Sequence, residues 1–201
     1  MTDLISQGQG VIKEMKKDGT NVSQLLDLVC KLKDGFKTEL EEKDPHVYKE
    51  METALDLIRR LTNETETAKA FCSNIDNVKK LCSVITALKH IPELTATALQ
   101  ILDNFTCEEG NLQNCKKGGC ADAILDLADD ESGDLPSILR LEAKIIGDMA
   151  RLPELKELFG KKDITNWIFE SLSKYSKDGP LQTTCAYATK NLLSNKYEPN
   201  I

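Results

Sequence analysis

IPELTATALQILDNFT (residues 91–106), LPSILRLEAKIIGDMA (135–150) and GPLQTTCAYATKNLLS (179–194) carry prolines at 92, 136 and 180, two successive steps of 44 residues. At the first turn of a helix, proline gives up no needed N–H, and its fixed φ suits helix entry. An apolar helical pattern follows each proline, so each is expected to open a helix. An earlier copy lacks the proline in this register: ALDLIRRLT from Ala54 matches ALQILDNFT from Ala98 at the same offset. Phe71, Cys115 and Phe159 fall in line as well, as do Cys120 with Ile164 and Ile124 with Ile168. Self-similarity at a period of about 20–50 residues marks an array of stacked units.

The composition agrees with helix. Leucine occurs 27 times and valine 6 times, and leucine is among the better helix formers. Each unit reads as a short helix, a second helix and a long third one. In the central unit these are GNLQNCKKG from Gly110, CADAILDLAD from Cys120 and the helix opening at Pro136. The next unit offers LPELKELFGKK, DITNWIFESLSKYS and the helix from Pro180. Gly118-Gly119, Gly133 and Gly179 fall at the joins, where glycine ends helices. Apolar stripes at helical spacing run through Ile164, Ile168 and Leu172, and through Ile124, Leu127 and Ala128. One unit cannot bury its stripe alone, so neighbours must stack.

These units resemble armadillo repeats, whose third helix commonly ends in Leu-Ser-Asn-Leu. Leu102-Asp103-Asn104-Phe105 matches that ending closely and Thr189-Lys190-Asn191-Leu192 in part. NLQNCKKGGCADAILDLADD is similar to the family's first and second helices with their glycine junction. Arginine stands at the asparagine position in Ile58-Arg59-Arg60-Leu61, and aspartate in Ile146-Gly147-Asp148-Met149. HEAT repeats are the nearest alternative. The resemblance implies an all-α chain: a right-handed armadillo-like solenoid of about four three-helix repeats of ~44 residues. Residues 1–201 would form a single domain. It would comprise a partial repeat over 1–62, repeats over 63–106, 107–150 and 151–195, and a short tail over 196–201.

In that family the third helices line a concave groove that holds an extended peptide. The resemblance transfers this role to Asp56 with Arg60, Gln100 with Asn104, Lys144 with Asp148, and Tyr187 with Asn191. Spacing of i, i+4 puts each pair on one helix face. Amides and charges can satisfy a ligand's backbone, and Tyr187 offers a flat apolar surface. The plainer alternative is a solvated face with i, i+4 salt bridges.

The remaining features narrow the function by exclusion. A net charge of −7 gives no phosphate-binding footprint, so no nucleic acid is expected. Two histidines and no recognisable nucleophile or cofactor motif argue against an enzyme and against a cofactor. The opening MTDLISQGQGVIKEMKK has no apolar core, so a signal peptide is not expected. No stretch approaches the ~20 apolar residues of a membrane span. Seven cysteines, an odd number, suit reduced thiols in the cytosol or nucleus. Cys107, Cys115 and Cys120 lack zinc-ligand spacing and read as structural thiols, so no metal is expected. Glycosylation matches at Asn21, Asn63 and Asn104 are read as chance, His46 and His90 as helix-end or surface residues, and Trp167 as packing. Residues 122–134 hold Asp122, Asp126, Asp129, Asp130, Glu131 and Asp134 with no base. No EF-hand register fits them; a solvated turn is the plainer reading, and a basic partner patch is the alternative.

The expected function is a non-catalytic adaptor, scaffold or regulatory subunit that binds protein or extended peptide. The alternative class is an exchange-factor-like regulator of a chaperone ATPase or small GTPase, binding a folded partner. The last helix presents Leu181, Cys185, Ala188 and Leu192 as one stripe, with Thr183, Thr184, Lys190 and Asn191 elsewhere and Leu193 as an apolar exception. An end that is mostly polar outside caps a stack, so a monomer is expected.

Overall fold

Proline opens the long helices as the spacing requires. The structure, a computed structural model, describes residues 21–36, 45–129 and 135–194. Its α-helices are α1 (Asn21–Phe36), α2 (Pro45–Thr62), α3 (Thr65–Ser73), α4 (Ile75–Leu88), α5 (Pro92–Thr106), α6 (Leu112–Lys117), α7 (Cys120–Ala128), α8 (Pro136–Met149), α9 (Pro153–Lys161), α10 (Ile164–Lys174) and α11 (Gly179–Leu193). A 3-10 turn, Glu109–Asn111, leads into α6. Among the described residues all regular structure is helical, so the chain is all-α. Pro92 and Pro136 begin α5 and α8, and Pro180 lies in the first turn of α11. The earlier long helix also begins with proline. Pro45 opens α2, 18 residues long against 15 for α5, and the extra turn carries that proline out of the 44-residue register.

The long helices lie side by side in chain order: α2 packs on α5, α5 on α8, and α8 on α11. On the other side α1 packs on α4 and α4 on α7, while α10 covers α11. One contiguous core runs from Val22 to Ala188. The positions aligned by sequence share burial: Phe71, Cys115 and Phe159 are all inside, as are Cys120 with Ile164 and Ile124 with Ile168. Leu181, Cys185 and Ala188 are buried as the last helix's stripe requires, and Leu193 is exposed. Trp167 is half-buried against the core. No helix among the described residues is long and apolar enough to cross a membrane.

The joins before the second helices also recur. Gly119, immediately before α7, has φ +84°, and Asp163, 44 residues on and immediately before α10, has φ +54°. Both are left-handed, a region glycine enters freely and aspartate enters more readily than most residues. Gly118 has a different reason. A Cβ there would sit 2.3 Å from Val78 Cγ1 and 2.6 Å from Val78 Cβ, so the α6–α7 turn closes directly onto α4.

The leader 1–20, residues 37–44, the tail 195–201, and Gly133, Asp130, Glu131 and Asp134 of the acidic stretch lie outside the described residues.

Gly118→Ala is expected to cost about 1–3 kcal/mol, because Val78 is fully buried and cannot swing clear. In a Val78→Ala background the same change should cost little. Denaturant melts of the two single variants and the double variant measure that coupling.

Candidate functional site

The last turns of the long helices carry the polar groups singled out by sequence. Asn104 Nδ2, on α5, donates to the backbone carbonyl of Arg59 at 3.2 Å and to Thr62 Oγ1 at 3.1 Å, both on α2. Asn191 Nδ2, on α11, donates to the carbonyl of Gly147 on α8 at 2.8 Å. Both asparagines therefore reach back to the C-terminal end of the preceding long helix. The Gly147 carbonyl has no backbone donor and the Asn191 amide satisfies it, whereas the Arg59 carbonyl also accepts the Asn63 N–H at 3.1 Å and the Asn104 amide adds a second bond.

The intervening helix carries aspartate at this position, and the chemistry inverts. A carboxylate cannot donate, so Asp148 accepts. Tyr187 Oη donates to it at 2.5 Å and Lys144 Nζ at 3.4 Å, and the Arg151 guanidinium stands 3.8 Å away. Lys144 also pairs with Asp103 of α5. Arg151 reaches the Cys107 carbonyl at 3.3 Å and Glu109 at 3.4 Å. The Tyr187 ring lies against Gly147, where a Cβ would meet its Cδ1 and Cε1 at 2.8 Å. At the other end of the face, Asp56 pairs with Arg59 at 2.6 Å and Arg60 at 2.8 Å.

The charges follow these contacts. Burial raises the Asp103 carboxyl above its usual range, while the Lys144 ammonium pulls it back. Burial opposes the Lys144 charge in turn, but Asp103 and Asp148 outweigh it and hold that lysine above its ordinary value. Burial and the Asp148 carboxylate both raise the Tyr187 phenol. Arg59 holds Asp56 below the usual carboxylate range, against some desolvation, with Arg60 assisting.

The structure thus joins Lys144, Asp148 and Tyr187 in one network. It places Asn104 and Asn191 in matching helix-to-helix bonds, and makes Asp56 and Arg60 an ion pair within α2. Gln100 is half-buried and has no hydrogen-bond partner among the described residues. Sequence reasoning missed Asp103, Arg59, Arg151 and Thr62. Asp103 had a signal, since Lys144 stands 41 residues later, one helical turn short of the repeat.

The acidic stretch is less isolated than its sequence suggested. Asp126 lies 3.7 Å from Lys89, too long for a hydrogen bond, and its Oδ2 is buried without a hydrogen-bond partner. Asp122 and Asp129 are exposed, as are His46 and His90. Among the described residues no group of three or more His, Cys, Asp or Glu side chains is arranged to hold a metal ion. No protein-family model matches the chain, and no curated protein matches it.

Glu142, on α8, was not anticipated. It is 1% exposed, and its Oε1 has no hydrogen-bond partner. By the 44-residue register it fills the place of Ala54 and Ala98, and Cys185 follows 43 residues later. All three are small and buried. Desolvation pushes its carboxyl up to about 8.

Two outcomes follow from this geometry. Asn104→Ala should destabilise the fold by about 0.5–1.5 kcal/mol, because its bonds to α2 are lost while the Arg59 carbonyl keeps the Asn63 N–H; thermal melts measure it. The second is a pH dependence. Unfolded, Glu142 sheds its proton near 4.5; folded, it keeps the proton to about 8. The unfolded state binds fewer protons across that window, so this group lowers stability as pH rises from about 4.5 to about 8. Glu142→Gln should flatten the fall and raise stability at pH 8 by a few kcal/mol at most, since each tenfold change in proton affinity is worth roughly 1.4 kcal/mol. Urea melts between pH 5 and pH 8 check the sign.

Proposed function

We propose that the chain is a short right-handed armadillo-like solenoid, with HEAT-like units as the structural alternative, acting as a non-catalytic scaffold for an extended peptide. The observation that supports this most is the recurring interhelix bond, Asn104 to the Arg59 carbonyl and Asn191 to the Gly147 carbonyl. It registers successive long helices in the same way at both ends of the array, as a groove-lining layer needs. Three groups on these helices remain open to a ligand. Gln100 keeps its amide, Arg60 is exposed, and Tyr187 is 37% exposed. An amide can pair with a peptide's backbone, a guanidinium with an acidic residue, and a phenol ring can stack on a side chain. The two asparagines have a positioning role in this reading, holding the helices that carry those groups.

A second reading has its own support. Phe169 is 51% exposed on α10, where it lines an open depression with Asn166, Glu170, Ser173 and Lys174. Leu193, on α11, is 63% exposed. Apolar surface at the end of the array suits a folded partner, such as a nucleotide-binding ATPase or GTPase, better than a peptide lying along the long helices.

Peptide-array hits measured by fluorescence anisotropy separate the two. Gln100→Ala should weaken peptide affinity by about 1–3 kcal/mol with an unchanged melting temperature. Unchanged affinity in that variant would remove the groove reading. Loss of a folded ATPase or GTPase partner in Phe169→Ser alone would establish the other.

A further inference from the structure

Lys144 and Asp103 fix how α8 lies against α5. The lysine ammonium of α8 pairs with the aspartate of α5 and also stands 3.4 Å from Asp148 on its own helix. One turn toward the N-terminus of each helix come Arg140, four residues before Lys144, and Gln100, three residues before Asp103. Residues three or four apart share a helix face, so the two stand at neighbouring levels on one side of the helix pair. Ser137 continues the α8 stripe by a further turn. Arg140 and Ser137 are exposed and Gln100 is half-buried, and none of the three makes a hydrogen bond or ion pair among the described residues. Arg140 thus adds a fourth open group to Gln100, Arg60 and Tyr187.

The acids around it are already compensated. Asp103 pairs with Lys144, and Asp148 accepts from Tyr187 beside Lys144 and Arg151. Glu142, two residues after Arg140, is buried on another face of α8, and burial raises its carboxyl to about 8. The other acid of α5, Glu93, stands seven residues before Gln100, about 10 Å along the axis. The guanidinium is also particular to α8. Ala96 fills its place on α5 and Thr183 on α11, and Glu52 on α2 is paired with Lys49.

We propose that Gln100 and Arg140 form a carboxylate-reading subsite, so that the extended peptide along the long helices is one that places an Asp or Glu side chain over α5 and α8. The assignment deepens the peptide-scaffold reading and rests on it. A guanidinium presents parallel N–H groups that match the two oxygens of a carboxylate, and the Gln100 amide and Ser137 hydroxyl supply further donors for those oxygens or for the peptide backbone. Charge decides among anions. One uncompensated guanidinium balances the single charge of a carboxylate, whereas a phosphoryl group brings nearly two. Arg140 also gives up no partner on pairing, unlike Lys144, whose release would leave Asp103 and Asp148 without it.

The test uses fluorescein-labelled peptide libraries of about ten residues, long enough to cross four helices packed side by side. The libraries are identical except that one position in each peptide is Glu, Gln, Lys or phosphoserine. Fluorescence anisotropy with the full chain should show Glu peptides binding about tenfold tighter than their Gln and Lys counterparts, as a hydrogen-bonded charge pair requires. Arg140→Gln should abolish that preference while Gln peptides bind as before, and Arg140→Glu should turn the preference toward Lys. Melting temperature should not move in either variant, since the side chain touches nothing that holds the fold. Glu and Gln peptides bound equally, with Gln100→Ala still weakening both, would overturn the subsite and leave the peptide groove standing. Phosphoserine bound more tightly than Glu through Arg140 would replace the carboxylate by a phosphate. No peptide bound at all, or binding indifferent to both Gln100→Ala and Arg140→Gln, would remove the groove and the subsite together.

Discussion

A carbonyl in the last turn of a long helix can lack an intrahelical N–H, and a side chain of the next helix then supplies a donor. Asn191 does this for the Gly147 carbonyl of α8, while Asn104 adds a donor to the Arg59 carbonyl of α2, which also accepts the Asn63 N–H. The Gly147 carbonyl shows the need directly. Arg151, whose N–H would complete the ladder, bonds instead to the carbonyl of Asp148, and the Asn191 amide supplies a donor to Gly147. Buried threonines repeat the theme within their own helices: Thr62 bonds to the Ile58 carbonyl and Thr106 to that of Asp103. These helix ends fix how one long helix sits on the next.

Asp148 shows what happens when the donor is replaced by an acceptor. Its side chain is 6% exposed, so a bare carboxylate there would be costly. The surrounding helices answer with Tyr187, Lys144 and Arg151, and Lys144 then carries the connection across to Asp103 on α5. The Asp148 position thus has different neighbours, while α8 still packs on α5 and on α11. Glu142, two turns earlier on α8, meets no such answer and relieves its burial by holding a proton.

The helices themselves were legible because proline and leucine periodicity act locally. Pro92, Pro136 and Pro180, and the shared slot of Phe71, Cys115 and Phe159, needed only spacing to be found. The polar contacts were harder because residue type does not say what a group faces. Asn104 was expected to hold a ligand, yet its amide hydrogens point at α2. The thiols were hidden for a related reason. Cys115 and Cys120 were weighed against Cys107, nearest in sequence, whereas their partners Cys72 and Cys82 lie 43 and 38 residues away, about one repeat. Glu142 was passed over because a charged residue in a long helix reads as solvated, although the register put it in line with Ala54 and Ala98.

The paired helix ends also limit what a peptide could gain along this face. A ligand carbonyl that drew the Asn104 or Asn191 amide to itself would leave a helix-end carbonyl without that donor. The exchange would return little net free energy. Lys144 and Asp148 are constrained in the same way, since each charge released from its partner is left partly desolvated. Affinity must therefore come from surface that is not already covered, which on the long helices includes Gln100, the exposed Arg60 guanidinium beyond its Asp56 pair, and the exposed part of Tyr187. Side chains already held by such bonds would lose little ordering entropy if a ligand bound. The buried cysteines Cys72, Cys82, Cys115 and Cys120 lie on α3, α4, α6 and α7, and α4 packs directly on α5, which carries Gln100.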